Sequence, residues 1–291
     1  MTLLESVPNF SEGRNEATIA EIGAALGRAA RVLDVHADAD HNRAVFTLVG
    51  EGDDLVEALT AGVSLAIERI DLRRHEGVHP RIGATDVVPI VPIEPGDFAA
   101  AEEVARRLGA RLAELGLPVF FYAPPERGPA FYRRGGLAAL ESRLEAGELI
   151  PDFGDPELHP SAGGVIVGAR RPLIALNVNL RGSVETARAV ATAVRERDGG
   201  LVGVRALGLD LHRAGLAQVS MNIEDWEASP PHVVVARVGA EATARGAEVA
   251  GTELVGLMPA GAVAAAAGAS LGIEGFDLSR VLELRLADSE P

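Results

Sequence analysis

The sequence contains no cysteine, which excludes disulfide bonds, thiolate metal ligands and thiol nucleophiles. It contains no lysine either, because all 27 basic residues are arginines. A Schiff-base lysine and the lysine of a phosphate-binding P-loop are therefore excluded, and with them most pyridoxal-phosphate chemistry. Any fixed cation in a site must be a guanidinium, whose planar fork suits bidentate binding of a carboxylate.

Aromatic residues are also scarce, and basic residues are outnumbered by acidic ones. Phe, Trp and Tyr make up 4% of the 291 residues, which argues against an aromatic-lined nucleic-acid platform. The 27 basic and 42 acidic residues give a formal net charge of −15, which repels phosphate backbones and anionic lipid headgroups. We therefore expect neither a nucleic-acid partner nor a membrane partner.

The sequence predicts neither an export signal nor a membrane span. Its first residues lack a charged n-region and a long apolar h-region. The longest bland run, residues 260–273, is alanine-rich and shorter than the roughly 20 residues that span a bilayer. We expect a cytoplasmic protein.

Short apolar runs alternate with helical periods along the whole chain. Predicted strands of the first half are residues 3–7, 30–35, 44–49, 87–93 and 117–122, and those of the second are 165–167, 173–180, 201–209, 216–223 and 249–257. Apolar residues at helical spacing predict helices between them, for example from Leu55 and from Phe98.

Two loop-like stretches separate the halves. Residues 123–135 are rich in proline and glycine, and residues 151–164 form a second polar loop after a short predicted helix, 137–149. We place the boundary here and predict two similar subdomains, residues 1–163 and 164–291. The fold class is α/β (α+β), in which each subdomain is a mixed or antiparallel sheet with helices on its outer face.

Two predicted strands each present a row of neutral polar side chains. Asn177 and Asn179 are two residues apart, so both side chains point to the same face of one strand. Gln218, Ser220 and Asn222 do the same on the next. Asn is a poor strand former, and solvent faces usually carry Glu, Arg and Thr, so we interpret the rows as a polar cleft wall. A half-solvated sheet face is the alternative.

The densest group of chemically active side chains lies in residues 73–86, ahead of a predicted strand. Within it, His75-Glu76-Gly77-Val78-His79 matches the zinc-protease pattern H-E-x-x-H. That chemistry needs both histidines on one face of a continuous helix. Gly77 inside the motif and Pro80 after it disfavour such a helix. A zinc hydrolase is retained only as an alternative.

A second polar loop is predicted at residues 36–43, where acids alternate with histidines. Such an alternation can bind a metal ion. The loop lacks the glycine and the closing glutamate of an EF-hand, so a solvated hairpin loop is the other interpretation.

Six blocks of the sequence resemble, in order, the motifs of the glutamate formimidoyltransferase family. Residues 7–15, VPNFSEGRN, are similar to the family's opening, and residues 79–86, HPRIGATD, to its HPRxGAxD signature. The further matches are residues 151–154, 168–170 with 177–180, 216–222 and 254–257. Each block alone is short, whereas six in the same order are specific.

The resemblance implies a fold and a reaction. The family transfers a formimidoyl group from N-formimidoyl-L-glutamate to N5 of tetrahydrofolate, in histidine breakdown. Its two α/β subdomains have sheets that face each other across a substrate groove, and it forms dimers. We therefore expect tetrahydrofolate as co-substrate, a homodimer, and no metal, pyridoxal phosphate or nucleotide. We expect the monofunctional form, without the cyclodeaminase domain of the animal enzymes.

The resemblance also implies roles for single residues. The catalytic histidine of the family falls on His79. Its folate-binding stretch falls on Gly154, Asp155, Pro156, Glu157, Leu158, His159, Pro160, Ser161, Ala162 and Gly163. The substrate-binding candidates are Asp40, His41, Asn42, Arg43, Arg81, Thr85, Asp86, Asn177, Asn179, Gln218, Ser220 and Asn222. The animal enzymes differ at His36, where they have an acidic residue, and at Ala162, where they have an aromatic one.

We predict that His79 acts as general acid and base, with an unperturbed pKa of ~6.5. Arg43 and Arg81 are the candidate carboxylate clamps, and Asp86 or Asp40 is expected to orient the imidazole. The same site also suits formyl transfer between N-formylglutamate and tetrahydrofolate. A non-catalytic folate-binding module is a further alternative.

Overall fold

The computed structural model describes residues 2–122 and 127–287 and separates into two compact units, Met1–Arg171 (unit 1) and Pro172–Pro291 (unit 2). Each unit combines a sheet with helices, so the predicted mixed α/β class with two subdomains is confirmed. The division lies beyond the predicted 163/164 boundary, because the strand Val165–Ala169 pairs within the sheet of unit 1. Residues 123–126 of the predicted Pro- and Gly-rich stretch lie outside the described residues.

Unit 1 contains a mixed sheet. Its described strands are β1 (Leu4–Ser6), β2 (Asn9–Phe10), β3 (Arg31–Asp38), β4 (Arg43–Gly50), β5 (Thr85–Pro92), β6 (Val119–Phe121) and β7 (Val165–Ala169). β3 pairs with β4, β4 with β1 and β2, and both of these with β5, all antiparallel. β7 then pairs in parallel with β5 and β6. β1 and β2 are separated at Pro8, which has no N–H to donate.

Three helices of unit 1 cover one face of this sheet, namely α1 (Glu16–Leu26), α2 (Gly52–Arg69) and α3 (Phe98–Ala113). The other two described α-helices of this unit are α4 (Pro129–Arg133) and α5 (Gly136–Glu145). Asn15 caps α1 by accepting the Thr18 N–H at 3.2 Å. Leu59 of α2 and Leu108 of α3 are fully buried in the core with Phe46 of β4. Each such side chain contributes roughly 1.5–3 kcal/mol by its burial.

The helices α4 and α5 pack on the other face, against the end of the sheet formed by β5, β7 and β6. Phe120 and Ile166 alternate along their strands with Val119 and Val165, which belong to the main core. They form a second cluster with Tyr132, which is fully buried. The prediction of helices on one face therefore misses this addition to unit 1.

Unit 2 contains an antiparallel sheet with the order β11-β8-β10-β9. Its described elements are β8 (Ile174–Arg181), α6 (Val184–Val194), β9 (Val204–Leu211), β10 (Leu216–Ile223), α7 (Pro231–Thr243), β11 (Glu248–Val255), α8 (Ala260–Leu271) and α9 (Leu282–Ala287). Val178 and Val219 point into a core with Val190 of α6 and Val234 of α7. The strand prediction 216–223 coincides with β10.

The two units share one element order, strand–helix–strand–strand–helix–strand. In unit 1 the corresponding sheet order is β5, then β1 with β2, then β4, then β3, which matches β11-β8-β10-β9 of unit 2. This agreement confirms the prediction of two similar subdomains. That their sheets face each other stays a prediction. In the part of the chain that the structure describes, no helix has the length and apolarity that crossing a membrane requires.

Candidate functional site

The turn between β3 and β4 meets the loop before β5 at Asn42. Asn42 has a φ of 47°, in the left-handed region that Asn tolerates better than most other residues. Its Oδ1 accepts the Gly13 N–H at 2.9 Å, and its Nδ2 donates to the Glu76 carbonyl at 2.9 Å. This buried side chain therefore joins three segments that are distant in sequence.

Arg81 also links the β3–β4 turn to the loop before β5. Its Nη2 donates to the carbonyls of His41 and His79, each at 2.8 Å, and its Nε donates to the His79 carbonyl at 3.1 Å. Its Nη1 donates to the Asn42 carbonyl at 3.1 Å and lies 3.0 Å from Nδ1 of His75. All three nitrogens are thus bound by protein groups, and the role of Arg81 as a carboxylate clamp stays a prediction.

His79 is partly buried, and its contact with the Pro80 carbonyl favours one tautomer of the neutral ring. The Pro80 carbonyl can only accept, so Nδ1 of the neutral ring donates to it at 2.8 Å. The lone pair is then on Nε2. Nη1 of Arg43 lies over the ring, 2.6 Å from Nδ1 and 2.8 Å from Nε2, while its Nη2 donates to Oδ1 of Asn9. The ring of His41 stacks on that of His79 at 5.7 Å between centroids.

Burial and nearby cations keep His79 uncharged. Burial, then the positive charges of Arg43 and Arg133, lower the pKa of His79 well below its usual 6.5. Burial lowers the pKa of Arg43 to about 9, with Arg133 adding to the effect and Asp86 opposing it. At pH 7 the cluster therefore contains a neutral imidazole beside charged guanidinium groups.

A buried ion pair lies next to this cluster. Nη2 of Arg133 is 2.6 Å from Oδ2 of Asp86, and their side chains are 15% and 3% exposed. Oδ1 of Asp86 accepts the Ile82 N–H at 2.8 Å, which anchors the loop. The Asp40 carbonyl accepts the Val78 N–H at 3.2 Å. A role for Asp86 or Asp40 in orienting His79 stays a prediction.

Three buried polar atoms in and beside the cluster have no hydrogen-bond partner. They are Nε of Arg43, Nε of Arg133 and Oγ1 of Thr85. An unsatisfied buried polar group costs about 1–3 kcal/mol. A polar ligand that hydrogen-bonds to such atoms gains the most binding free energy.

The predicted folate-binding stretch lies against the loop that contains His79. Two backbone hydrogen bonds join them, from the Ala84 N–H to the Ala162 carbonyl and from the Leu72 N–H to the Ser161 carbonyl, each at 2.8 Å. The next residue, Gly164, donates its N–H to the Ile82 carbonyl at 2.9 Å. Gly163 has a φ of 69°, and a Cβ there would lie 2.2 Å from the Ile82 carbonyl oxygen. Glycine is therefore required for this close approach.

A cleft of about 200 Å³ opens on this stretch. It is lined by Leu72, Arg73, Leu137, Glu141, Leu158, His159, Pro160, Ser161 and Gly163. Nδ1 of His159 accepts the Ala162 N–H at 3.1 Å, so its proton is on Nε2 in the neutral ring. The cleft thus combines apolar side chains such as Leu137 and Leu158 with the polar groups of Arg73 and His159.

The neutral amides of unit 2 lie on the face opposite its apolar core. Register pairs Gln218 with Asn179 and Ser220 with Asn177. Nε2 of Gln218 donates to Oδ1 of Asn179 at 2.9 Å, and Nδ2 of Asn177 donates to Oε2 of Glu253 at 3.2 Å. Gln218 and Asn177 are 0% and 5% exposed, Asn179 and Ser220 are partly buried, and Asn222 is exposed, so the row runs from a buried end to an exposed one. That the row is a cleft wall stays a prediction.

The H-E-x-x-H motif does not lie on a continuous helix. A single 3-10 turn, Leu72–Arg74, precedes it, and His75 is extended with φ −86° and ψ 129°. His75 and His79 therefore do not share the helix face on which zinc proteases depend. Across residues 2–122 and 127–287, no group of three or more His, Asp and Glu side chains is placed to hold a metal ion.

The structure brings several predicted site residues together and adds two. Arg43 contacts His79, and Arg81 bonds the backbone of both His41 and Asn42. Sequence reasoning does not single out Asn9 and Arg133, which bind Arg43 and Asp86. Asn9 lies inside the matched opening motif, whereas nothing in the pattern around Arg133 indicates a site.

Comparison with protein families gives two matches. The model described as "Formiminotransferase domain, N-terminal subdomain" matches residues 3–170. The model described as "Formiminotransferase domain" matches residues 175–274. Together they cover most of the chain, and they meet near the division between the two units.

Known proteins with related sequences have corresponding names. The glutamate formimidoyltransferase of Streptococcus pyogenes serotype M1 is 38% identical, and the match covers 98% of each chain. That of Thermoplasma acidophilum is 37% identical, again over 98% of each. The formimidoyltransferase-cyclodeaminase of Gallus gallus is 40% identical over 88% of this chain and 50% of its own length.

Proposed function

Because the chain belongs to the formiminotransferase family, we propose that it transfers a formimidoyl group from N-formimidoyl-L-glutamate to N5 of tetrahydrofolate. The products are 5-formimidoyltetrahydrofolate and L-glutamate. The observation that supports this best is the neutral His79, whose basic Nε2 lies beside Arg43. A neutral base among cations suits a proton transfer between anionic substrates.

In the proposed step, N5 of tetrahydrofolate attacks the formimidoyl carbon and Nε2 of His79 takes the N5 proton. A C–N5 bond forms while the π pair of the C=N bond moves to the imino nitrogen, and the carbon becomes tetrahedral. His79 then gives the proton to the glutamate nitrogen while the bond from carbon to that nitrogen breaks and the C=N bond re-forms. Bonds and protons balance without a covalent enzyme intermediate. Positioned acid–base catalysis of this kind contributes roughly 10²–10⁴-fold.

The binding roles follow the same proposal. The loop residues around His79, namely Asp40, His41, Asn42, Arg43, Arg81, Thr85 and Asp86, bind the glutamate donor. Residues 154–163 bind the folate. The neutral amides and hydroxyl of unit 2, Asn177, Asn179, Gln218, Ser220 and Asn222, bind the pterin edge or the amidine without changing its charge. The enzyme acts as a homodimer in the cytoplasm.

The test is incubation of the purified full-length chain with tetrahydrofolate and N-formimidoyl-L-glutamate. The ultraviolet spectrum reports substitution at N5, and released glutamate is assayed separately. We expect both signals in equal amounts. A parallel reaction with N-formyl-L-glutamate tests the formyl alternative, and turnover with that donor alone would overturn the proposal. Folate binding without turnover of either donor would indicate a binding module.

A further inference from the structure

We propose that Arg43 and Arg133 together form a receptor for the carboxylates of a glutamate group, and that a bound carboxylate draws Arg43 away from Nε2 of His79. The inference rests on the proposed function for the identity of the ligand. It gives Arg133 a role in substrate binding and makes exposure of the base depend on that binding.

The first argument is the charge of the cluster. Arg43, Arg81 and Arg133 are close enough for the charge of Arg133 to lower the pKa of the other two. The carboxylate of Asp86 is in hydrogen-bond contact with this group, because Arg133 binds it. Three guanidinium groups that lie so close together place excess positive charge in a poorly hydrated region. A dicarboxylate ligand compensates that excess.

The second argument is the position of the unused donors. Each nitrogen of Arg81 already binds a protein group. Arg43 and Arg133, by contrast, each bury an Nε–H that has no partner. An Nε–H and its neighbouring Nη–H form the edge that binds a carboxylate bidentately. The unpartnered Nε–H donors therefore belong to Arg43 and Arg133, one for each carboxylate, while Nη2 of each already binds a protein oxygen.

The third argument is the contact between Arg43 and the base. Nη1 of Arg43 lies over the imidazole ring of His79, 2.8 Å from Nε2. This contact blocks the nitrogen that must take a proton. A carboxylate on the Nε edge of Arg43 competes for the same guanidinium and pulls it from the ring. Ligand binding then makes Nε2 available only when the donor is in place.

The ligand class is a glutamate bearing two carboxylates, and two molecules supply it. One is the donor, and the other is the glutamate tail of folate. Binding of N-formyl-L-glutamate, a non-reacting stand-in for the donor when folate is absent, tests the first. Comparison of 5-formyltetrahydrofolate with its pteroate analogue, which lacks the glutamate, tests the second.

The experiment is calorimetric titration of the full chain and its variants with these ligands. Arg133→Gln leaves Asp86 without its partner, so Arg133→Lys is the decisive variant, since it keeps the ion pair and removes the Nε–H. We expect Arg133→Lys to weaken N-formyl-L-glutamate binding by roughly tenfold or more, because Lys does not replace a bidentate Arg. The matched control is Arg111→Gln, an exposed arginine paired with Glu114, with unchanged affinity.

Nitrogen NMR of ¹⁵N-histidine-labelled protein provides the second readout. We expect the His79 Nε2 signal to move when N-formyl-L-glutamate binds, and not with L-glutamine, which lacks one carboxylate. An unchanged affinity in folded Arg133→Lys overturns the receptor, and an unmoved Nε2 signal on saturation overturns the release of the base. Weaker binding in Arg133→Lys with no transferase activity in the wild type leaves the receptor standing and removes the proposed function.

Discussion

The two units have the same strand order but different polar surfaces. Unit 1 places His79, Arg43 and Arg133 in one cluster, so its candidate site is built from groups that titrate or carry charge. Unit 2 places amides such as Gln218 and Asn177 on one sheet face, and these do not titrate. The comparison shows that one topology accommodates two kinds of chemistry, because side chains and not strand order determine it.

A second difference is the extension of unit 1. After β5, the chain adds α3, β6, α4, α5 and β7 to the sheet. This extension contributes Arg133 and the stretch 154–163 to the surroundings of His79. In unit 2 the equivalent strand, β11, is at the edge of the described sheet. The charged site therefore depends on an addition that unit 2 does not share.

The largest expected effect is the loss of kcat when the base of unit 1 is removed, compared with the loss when an amide of unit 2 is removed. His79→Ala should reduce kcat by roughly 10²–10⁴-fold, because the proton acceptor is lost. Asn179→Ala should reduce kcat by about tenfold or less, because one neutral hydrogen bond contributes about 0.5–1.5 kcal/mol. Steady-state kinetics on folded variants measures both. Equal losses would contradict the distinction between the units.

The next effect compares a glycine of each unit. A Cβ on Gly83 would lie 1.9 Å from the Gly164 carbonyl oxygen, so Gly83→Ala should lower the free energy of unfolding by more than about 3 kcal/mol. A Cβ on Gly251 of β11 meets no atom within 4 Å, so Gly251→Ala should change it by about 0.5 kcal/mol or less. Urea denaturation measures both. A small change in the free energy of unfolding for Gly83→Ala would show that the loop moves to accommodate the Cβ.

A smaller effect arises if the neutral row of unit 2 is given a charge. Asn177→Asp places a carboxylate beside Glu253, where an amide now donates at 3.2 Å. Repulsion raises the pKa of the carboxyl pair above unfolded values, so the unfolded chain loses its protons first as pH rises. The variant should be less stable than Asn177→Ala by about 1 kcal/mol at pH 7 and equal to it near pH 3. Thermal denaturation at both pH values decides this.

The smallest effect is the pH dependence of stability from His79. Its folded pKa is below 6.5, so as pH falls through 6.5 the unfolded chain takes up the proton first. As pH decreases from 6.5 to the folded pKa, the free energy of unfolding therefore decreases, by up to about 1.4 kcal/mol per pH unit. His79→Gln should lose about 1 kcal/mol less than wild type between pH 7 and 5.5. Gln218→Ala, which removes no titrating group, should keep the wild-type slope.

The sequence predicts the elements best where the hydrophobic period is strong. The predicted strand 216–223 coincides with β10, and α3 begins at Phe98 as expected. The predicted loop 36–43 is wrong at its start, because β3 continues to Asp38, which pairs with Arg43. The division at 171/172 depends on the parallel pairing of β7, which no local pattern indicates.

The site is predictable only in part, for a similar reason. His79, Arg81 and Asp86 share one motif, so the sequence places them together. The motif does not show that Arg81 binds the backbone of the 39–42 turn, nor that Arg133 reaches Asp86 from α4. These contacts join segments far apart in sequence. Tertiary packing alone creates them.

The parallel pairing of β5 with β7 also has a consequence for the order of folding. Closing the crossover between these strands carries an entropic cost that precedes the pairing, whereas β9 and β10 join through a short turn. During synthesis one edge of β5 has no pairing strand until residues 165–169 leave the ribosome. The same step brings residues 154–163 against the loop of His79. The candidate site is therefore completed by the last strand of its unit to be made.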